Sequence, residues 1–272
     1  MSLILNEPAA LYHANPAIGS TTAKLARKSL RLFDDHQAGH IPRIDKPCWQ
    51  VGTIVHLRTL EPDRYALTTR SEGPLNAKTG KPYGRDTNAF ADWQAENPSI
   101  IMVEPYIDAM CLRMPPAVRD VLRNGVAEST VRVKYDDHLT VQCRPDWMRG
   151  GDVWDLKTID DVDGWERQVR SLDYWFSAGW YRMTMRLAGL PDGEWRWIFA
   201  EKKPPYRWRI VRMSAAYLDR AIDEAGEVAQ DISDAMRTGR WDDDDPGEIV
   251  AELPTHLDDQ TFTVDEEGSI SL

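Results

Sequence analysis

The chain has 272 residues, with 33 Lys and Arg against 44 Asp and Glu, for a formal charge of −11. Hydrophobic residues at 42% and charged ones at 28% are those of a globular protein of one to two domains with a sizeable core. The longest apolar runs fall well short of the about 18 residues that a transmembrane helix needs, and three scattered cysteines (Cys48, Cys111, Cys143) exclude a four-thiolate metal site.

An odd cysteine count fits a reducing compartment without disulfides. The opening MSLILNEPAALYHANP has no basic region and no long apolar run, so a signal peptide is not expected and a cytoplasmic location is. The charge is uneven. From Trp241 to Leu272 there are eleven acids and no Lys or Arg, which leaves 33 of each sign before it. The acidic total, which would otherwise argue against nucleic acid, therefore says nothing about residues 1–240. Residues 241–272 read as an acidic tail, loosely packed and outside any DNA channel.

In chain order, Ser20-Thr21-Thr22 offers an N-cap to a helix over AKLARKSLRLFDDHQ. CWQVGTIVHLRTLEP reads as a second helix stopping near Pro62, and SEGPLNAKTGKPYG as a loop. From Asp86 to Arg123 the pattern is helical, broken by Pro98, Pro105 and Pro115-Pro116. The period then changes to that of strands in STVRVKY, LTVQCRPDWM and DVWDLKTI, separated by Asp136-Asp137 and by Arg149-Gly150-Gly151. A long helix is predicted from about Val162 to Ala188, then a strand pair, EWRWIFAE and YRWRIVRM, around Lys202-Lys203-Pro204-Pro205. A last helix runs from Ser214 to about Thr238, with Gly239 as its C-cap. The order implies one mixed α/β domain with a central sheet flanked by helices.

The Gly150-Gly151 turn fixes a register. If Arg149 faces Asp152, then Asp146 faces Asp155 with Cβ atoms about 5 Å apart, and Lys157 shares their face. Two opposed carboxylates repel, so a purely structural sheet avoids the pair, and a divalent cation between them removes the penalty. A neighbouring lysine then stabilises charge in a transition state. The plainer reading is a solvated sheet face with Lys157 pairing one acid. Trp147, Val153, Trp154 and Leu156 argue against it, because they imply a strand buried on both faces.

Pro145-Asp146 followed by Asp155-Leu156-Lys157 matches the PD-(D/E)xK signature of restriction-endonuclease-like nucleases. With YHANPAIGSTTAKLARKS, GTIVHLRTLEP, NGVAESTVRV, CRPDWM, DLKT, YWFSAGWYRM and FAEKKPPY in this order, residues 8 to 240 resemble the RecE-type exonucleases, exonuclease eight and its phage relatives. The resemblance implies a restriction-endonuclease-like α/β core. It makes His56 a metal ligand, Glu128 the acid before the first core strand, Asp146 and Asp155 metal-binding aspartates helped by the Leu156 carbonyl, and Lys157 the catalytic lysine. Tyr181 matches a tyrosine four residues after a position where the family usually has Gln and this chain has Ser177. It further implies 5′ to 3′ degradation of linear double-stranded DNA, a toroidal tetramer, a RecT-type annealing partner and a bacterial host cell.

Phosphodiester hydrolysis needs an in-line water, a Lewis acid and a protonated leaving oxygen. Magnesium is the expected cofactor; an imidazole ligand also suits manganese, so either should serve and calcium should serve poorly. Without the resemblance, His56 reads as a helix histidine packed near the core. Lys24, Arg27, Lys28 and Arg31 lie at helical spacings and, with Lys202, Lys203, Arg207 and Arg209, are candidates to touch phosphates. Tyr174 shares a helical face with Tyr181. A solvated helix and an ordinary hairpin is the alternative for these cations. Two other functions fit the same residues: a DNA-end-binding or annealing accessory without catalysis, and an endonuclease of the same superfamily.

Overall fold

The computed structural model describes residues 2–5, 7–41 and 47–241, and the backbone of two short strands at 263–264 and 270–271. Cys111 and Cys143 are buried free thiols; the Cys48 side chain lies outside the described residues. The chain divides into two compact units, Met1–Trp241 and Asp242–Leu272. No helix among the described residues is long and apolar enough to cross a membrane.

The first unit opens with β1 (Ser2–Ile4), α1 (Ala9–Ala14), α2 (Ser20–Lys28) and α3 (Leu30–Gln37). The single helix expected over 23–37 is thus two. Ser29 takes extended backbone, and its hydroxyl accepts from the Leu32 N–H, capping α3 as α2 ends. α4 (Pro47–Leu60), α5 (Pro62–Thr68), β2 (Thr69–Arg70), α6 (Asn88–Glu96), β3 (Ile101–Met102), α7 (Pro105–Leu112) and α8 (Pro116–Val121) follow. Pro62, Pro105 and Pro116 open helices, where a missing N–H does no harm. β2 and β3 pair in parallel, two residues each, too short to leave a periodic signal.

Then come β4 (Val126–Ala127), β5 (Thr130–Lys134), β6 (Thr140–Cys143), β7 (Trp147–Arg149) and β8 (Asp152–Ile159). A 3-10 turn at Val162–Gly164 leads to α9 (Trp165–Ser171), α10 (Tyr174–Leu187), β9 (Trp195–Glu201), β10 (Trp208–Arg212) and α11 (Ala215–Thr238). The long helix predicted over 162–188 is broken at Asp173, whose φ of +50° is left-handed. α11 is closed as expected by Gly239 at φ +71°, and Ser214, expected as its first residue, is its N-cap, the side chain accepting from the Tyr217 N–H. The second unit carries an antiparallel pair, β11 (Thr263–Val264) and β12 (Ile270–Ser271).

Two sheets organise the first unit: β1-β5-β6, all antiparallel, and a mixed sheet ordered β10-β9-β8-β7-β4 in which β8 and β9 run parallel. LTVQCRPDWM is therefore not one strand. Its first half lies in the small sheet and its second in the large one, with Pro145 between, where no ladder N–H is available. The register runs through this break unchanged. Ala127 faces Trp147 in the large sheet and Val131 faces Cys143 in the small one, pairs whose numbers both add to 274. The two strands form one antiparallel ribbon that bends from one sheet into the other.

β8 separates two cores. Val153, Ile159, Trp195, Trp197 and Phe199 pack with α2, α10 and α11, whereas Trp154, Leu156 and Ile198 pack with α4 and α7. The strand tryptophans Trp195 and Trp197 are core residues, and Trp208 is half-buried with its indole N–H on the Met110 carbonyl. Trp241 stacks on Phe33, so the body extends through it. α10 and α11 cross closely at Gly179, where a Cβ would lie 2.0 Å from the Ala221 carbonyl oxygen. Gly179→Ala should destabilise the protein by about 2–3 kcal/mol, overpacking outweighing the gain in helix propensity; urea denaturation measures it.

Candidate metal centre

At the bend of the ribbon the register places Glu128 opposite Asp146, and the Glu128 N–H donates to the Asp146 carbonyl at 3.1 Å. On its other side Asp146 continues the β7–β8 pairing, in which Trp147 faces Trp154, and so comes level with Asp155. Three carboxylates thus stand abreast on adjacent strands. Asp146 and Asp155 are buried, at 8% and 5% exposure, so their charge is not diluted by water. Glu128 has a φ of +49°, a conformation that costs a non-glycine residue about 1 kcal/mol or more. The ribbon holds it there as the chain turns between sheets.

His56, on α4, reaches this line across the sheet. Its Nε2 lies 2.7 Å from the Leu156 carbonyl oxygen and 3.6 Å from Asp146 Oδ2, while Nδ1 faces Glu128 at 3.6 Å. The Leu156 N–H in turn donates to Asp146 Oδ2 at 2.7 Å. Lys157 Nζ sits 2.6 Å from Asp155 Oδ1 and 3.8 Å from Asp146 Oδ2. All the residues expected at the centre are therefore together. Glu128, expected as a neighbouring acid, groups with His56 and Asp146, one ligand-type atom of each lying within 4.8 Å of the others, a set that could hold a metal ion. Asp155 is turned toward Lys157.

Sequence reasoning missed Arg144. It is buried, its Nε lies 2.8 Å from Glu128 Oε2, and its guanidinium lies over the Tyr12 ring. It pairs with one oxygen of the Glu128 carboxylate while His56 faces the other.

The charges reinforce one another. Burial pushes the Asp155 carboxyl up to about 6, with Lys157 opposing and Asp146 adding to the rise. Burial disfavours the His56 cation, but Asp146 and Glu128 outweigh it and raise the imidazole to about 9. Burial also works against the Lys157 ammonium, and Asp155 with Asp146 hold it well above the ordinary lysine range. Tyr181, edge-on to Trp195, is pushed up by burial and by nearby Tyr12 and the two aspartates, so its hydroxyl keeps its proton. Tyr181, Glu128, His56 and Arg144 line one cleft of about 520 Å³.

The donor set fits a small divalent ion. Ligands at about 2.1 Å in an octahedron stand about 3 Å apart at neighbouring vertices and about 4.2 Å across; taking one atom from each of His56, Glu128 and Asp146, the three lie within 4.8 Å of one another, close to that span. Mixed imidazole, carboxylate and carbonyl donors suit magnesium or manganese.

The residues expected to touch phosphates fall into two groups. Lys202 is bound to Asp160 at 2.8 Å, Arg207 to Glu201, Asp161 and Asp163, Arg209 to Asp163, and Arg27 to Asp173 and Glu224. These cations are already neutralised. Lys28 and Lys203 are exposed. Lys24 and Tyr174 lie beside the centre, the Lys157 ammonium standing 5.3 Å from the Tyr174 ring centroid. Ser177 Oγ bonds back to the Asp173 carbonyl in its own helix.

No family model and no curated protein matches the chain. Among solved structures, a crystal structure from Eubacterium rectale described as a "putative exonuclease" superposes with a TM-score of 0.54 at 13% identity, over 95% of this chain and 98% of that one. The two chains share a mixed α/β fold over nearly their whole lengths.

Proposed function

We propose that this chain is a magnesium-dependent exodeoxyribonuclease of the PD-(D/E)xK type that degrades linear double-stranded DNA. The observation that carries the reading is the line of Glu128, Asp146 and Asp155 on adjacent strands, with Lys157 against Asp155 and His56 over the opposite end. The fold shared with the Eubacterium rectale protein supports it.

A bound magnesium ion supplies the charge that neutralises the phosphate and acidifies a water. Asp146, Glu128 and Asp155 offer anionic oxygens to hold it, His56 and the Leu156 carbonyl neutral donors. Lys157 stays protonated and places a fixed positive charge where the phosphate gains negative charge. Tyr181 keeps its proton and acts as a hydrogen-bond donor. From the resemblance to RecE-type enzymes we add 5′ to 3′ polarity, a toroidal tetramer and a RecT-type annealing partner in a bacterial host cell.

The test compares linear with covalently closed duplex, labelled at the 5′ or 3′ end, with magnesium and with chelator. Loss of 5′ label from linear DNA alone, only with magnesium, is the expected result. Cutting of closed circles makes the protein an endonuclease, and binding without release of nucleotides makes it an end-binding accessory.

A further inference from the structure

We propose that Lys24 is a phosphate-binding residue of this site, gripping a backbone phosphodiester next to the one cleaved; the inference rests on the nuclease reading above. α2 brings Lys24 against the start of α10. Its Nζ donates to the Leu172 carbonyl at 2.8 Å and lies 5.6 Å from the centroid of the Tyr174 ring. The Lys157 ammonium lies 5.3 Å from the same centroid, so the two nitrogens are no more than 10.9 Å apart. One tyrosine ring therefore carries two cations, one of them in the metal centre.

Unlike Arg27, the cation beside it that Asp173 and Glu224 neutralise, half-buried Lys24 lacks a counter-charge. Asp173, an acid beside it, is bound to Arg27, and among the described residues Lys24 makes no ion pair. An ammonium has three donors, and one carbonyl satisfies one of them. Burial, the nearby Lys157 and Lys28, opposed by Asp173 and Asp155, bring its pKa down to about 8. A half-buried cation in that condition is stabilised by an incoming anion, and a phosphodiester offers one charge and two acceptor oxygens.

The surroundings give that phosphate a path. Leu172 and Tyr174, the two residues that Lys24 touches, line a groove of about 590 Å³ that also includes Thr158, directly after Lys157. Gln168 braces its floor, its amide donating to the Thr158 carbonyl and the Tyr174 hydroxyl. The groove's acids, Asp160 and Asp161, are matched by Lys202 and Arg207. Arg167, exposed and without an ion pair among the described residues, also lines it. Lys24 borders this groove through its contacts with Leu172 and Tyr174.

The test is the salt dependence of binding to a fluorescein-labelled linear duplex, read by anisotropy on the full chain in calcium. Removing one phosphate contact flattens the slope of log K against log salt by about 0.9 for duplex or about 0.7 for single-stranded DNA. Lys24→Met should show that change with a fall in affinity of about five- to tenfold at low salt. Lys24→Arg, which keeps the charge, should restore the slope. Lys134→Met, an exposed lysine at the end of β5, should leave it unaltered. An unchanged slope in Lys24→Met, or a Lys24→Arg that matches Lys24→Met, overturns the assignment; Lys24→Gln replaces Lys24→Met if the latter does not fold. Wild-type protein that neither binds nor degrades DNA removes the nuclease reading itself, a separate result.

Discussion

Lys157→Ala should lower magnesium-dependent DNA hydrolysis by at least about 10²- to 10³-fold, the usual loss when a preorganised positive charge is taken from a reacting phosphate. The same substitution has a second effect that separates it from a general loss of fold. Lys157 is the cation that touches Asp155, and it opposes the rise that burial imposes on that carboxyl. Without it, Asp155 is a buried acid beside Asp146, and an uncompensated buried charge costs about 3–5 kcal/mol. The carboxyl avoids part of that cost by keeping its proton. Its folded pKa, already raised, climbs further above the unfolded value. A raised carboxyl pKa means that the folded state binds more protons, so stability falls as pH rises through the folded value. Lys157→Ala should therefore be close to wild type in urea at pH 5 and clearly weaker at pH 8 in the absence of metal. Hydrolysis at the wild-type rate by this variant would falsify the catalytic role. Lys157→Arg should not rescue the rate, because a planar guanidinium cannot take the place of a compact ammonium wedged against Asp155.

Magnesium affinity should rise about tenfold per pH unit from neutrality to about pH 9. An imidazole ligates a metal only after losing its proton, and Asp146 and Glu128 hold His56 protonated up to about 9. Each ion bound near neutral pH thus displaces about one proton. Calorimetry in two buffers of different ionisation heat counts it directly, and an affinity independent of pH between 7 and 9 would exclude the linkage. The stability sign follows. His56 has a folded pKa above its unfolded one, so its contribution is full below about 6.5 and is lost as pH rises through 9 in metal-free protein. Magnesium should replace that loss, so the melting temperature gained on adding the ion should be larger at pH 9 than at pH 7.

The line Asp146, Asp155 and Lys157 was legible because the Gly150-Gly151 turn is short and its register unambiguous; the observed pairs Trp147 with Trp154 and Arg149 with Asp152 are those it dictates. Glu128 was reached only through the family resemblance. A signal for it existed at the other end of the ribbon, where Asp136 Oδ1 accepts from the His138 and Leu139 N–H groups and closes a turn that sets Lys134 against Thr140. Turn length there cannot be read from residue types alone, so the count back to Glu128 was not fixed. Pro145 inside LTVQCRPDWM was a readable sign that the strand breaks, overridden by the apolar alternation around it. The break at Ser29 failed for a related reason: the apolar spacing continues through a serine that caps the next helix. Arg144 left no trace, because an arginine becomes a buried brace only through what packs over it, here Tyr12 from α1. The pairing of Lys202, Arg207 and Arg209 with Asp160, Asp161, Asp163 and Glu201 is likewise a property of the fold, since a strand pattern does not show where the neighbouring loop returns its acids.

The unbroken ribbon has a consequence for how the centre comes into being. Glu128, Arg144, Asp146, Asp155 and Lys157 all lie between residues 126 and 159, in strands joined by short turns, so their mutual placement is a local event with little chain to close. Only His56 arrives from far along the chain, 100 residues from the Leu156 carbonyl it meets. The acids should consequently be assembled, and repelling one another, before the helix that carries His56 docks. That gives the docking of α4 an electrostatic drive as well as a hydrophobic one. In native-state hydrogen exchange, β7 and β8 should open only with global unfolding, while α4 should open at lower cost and be the element that magnesium slows most.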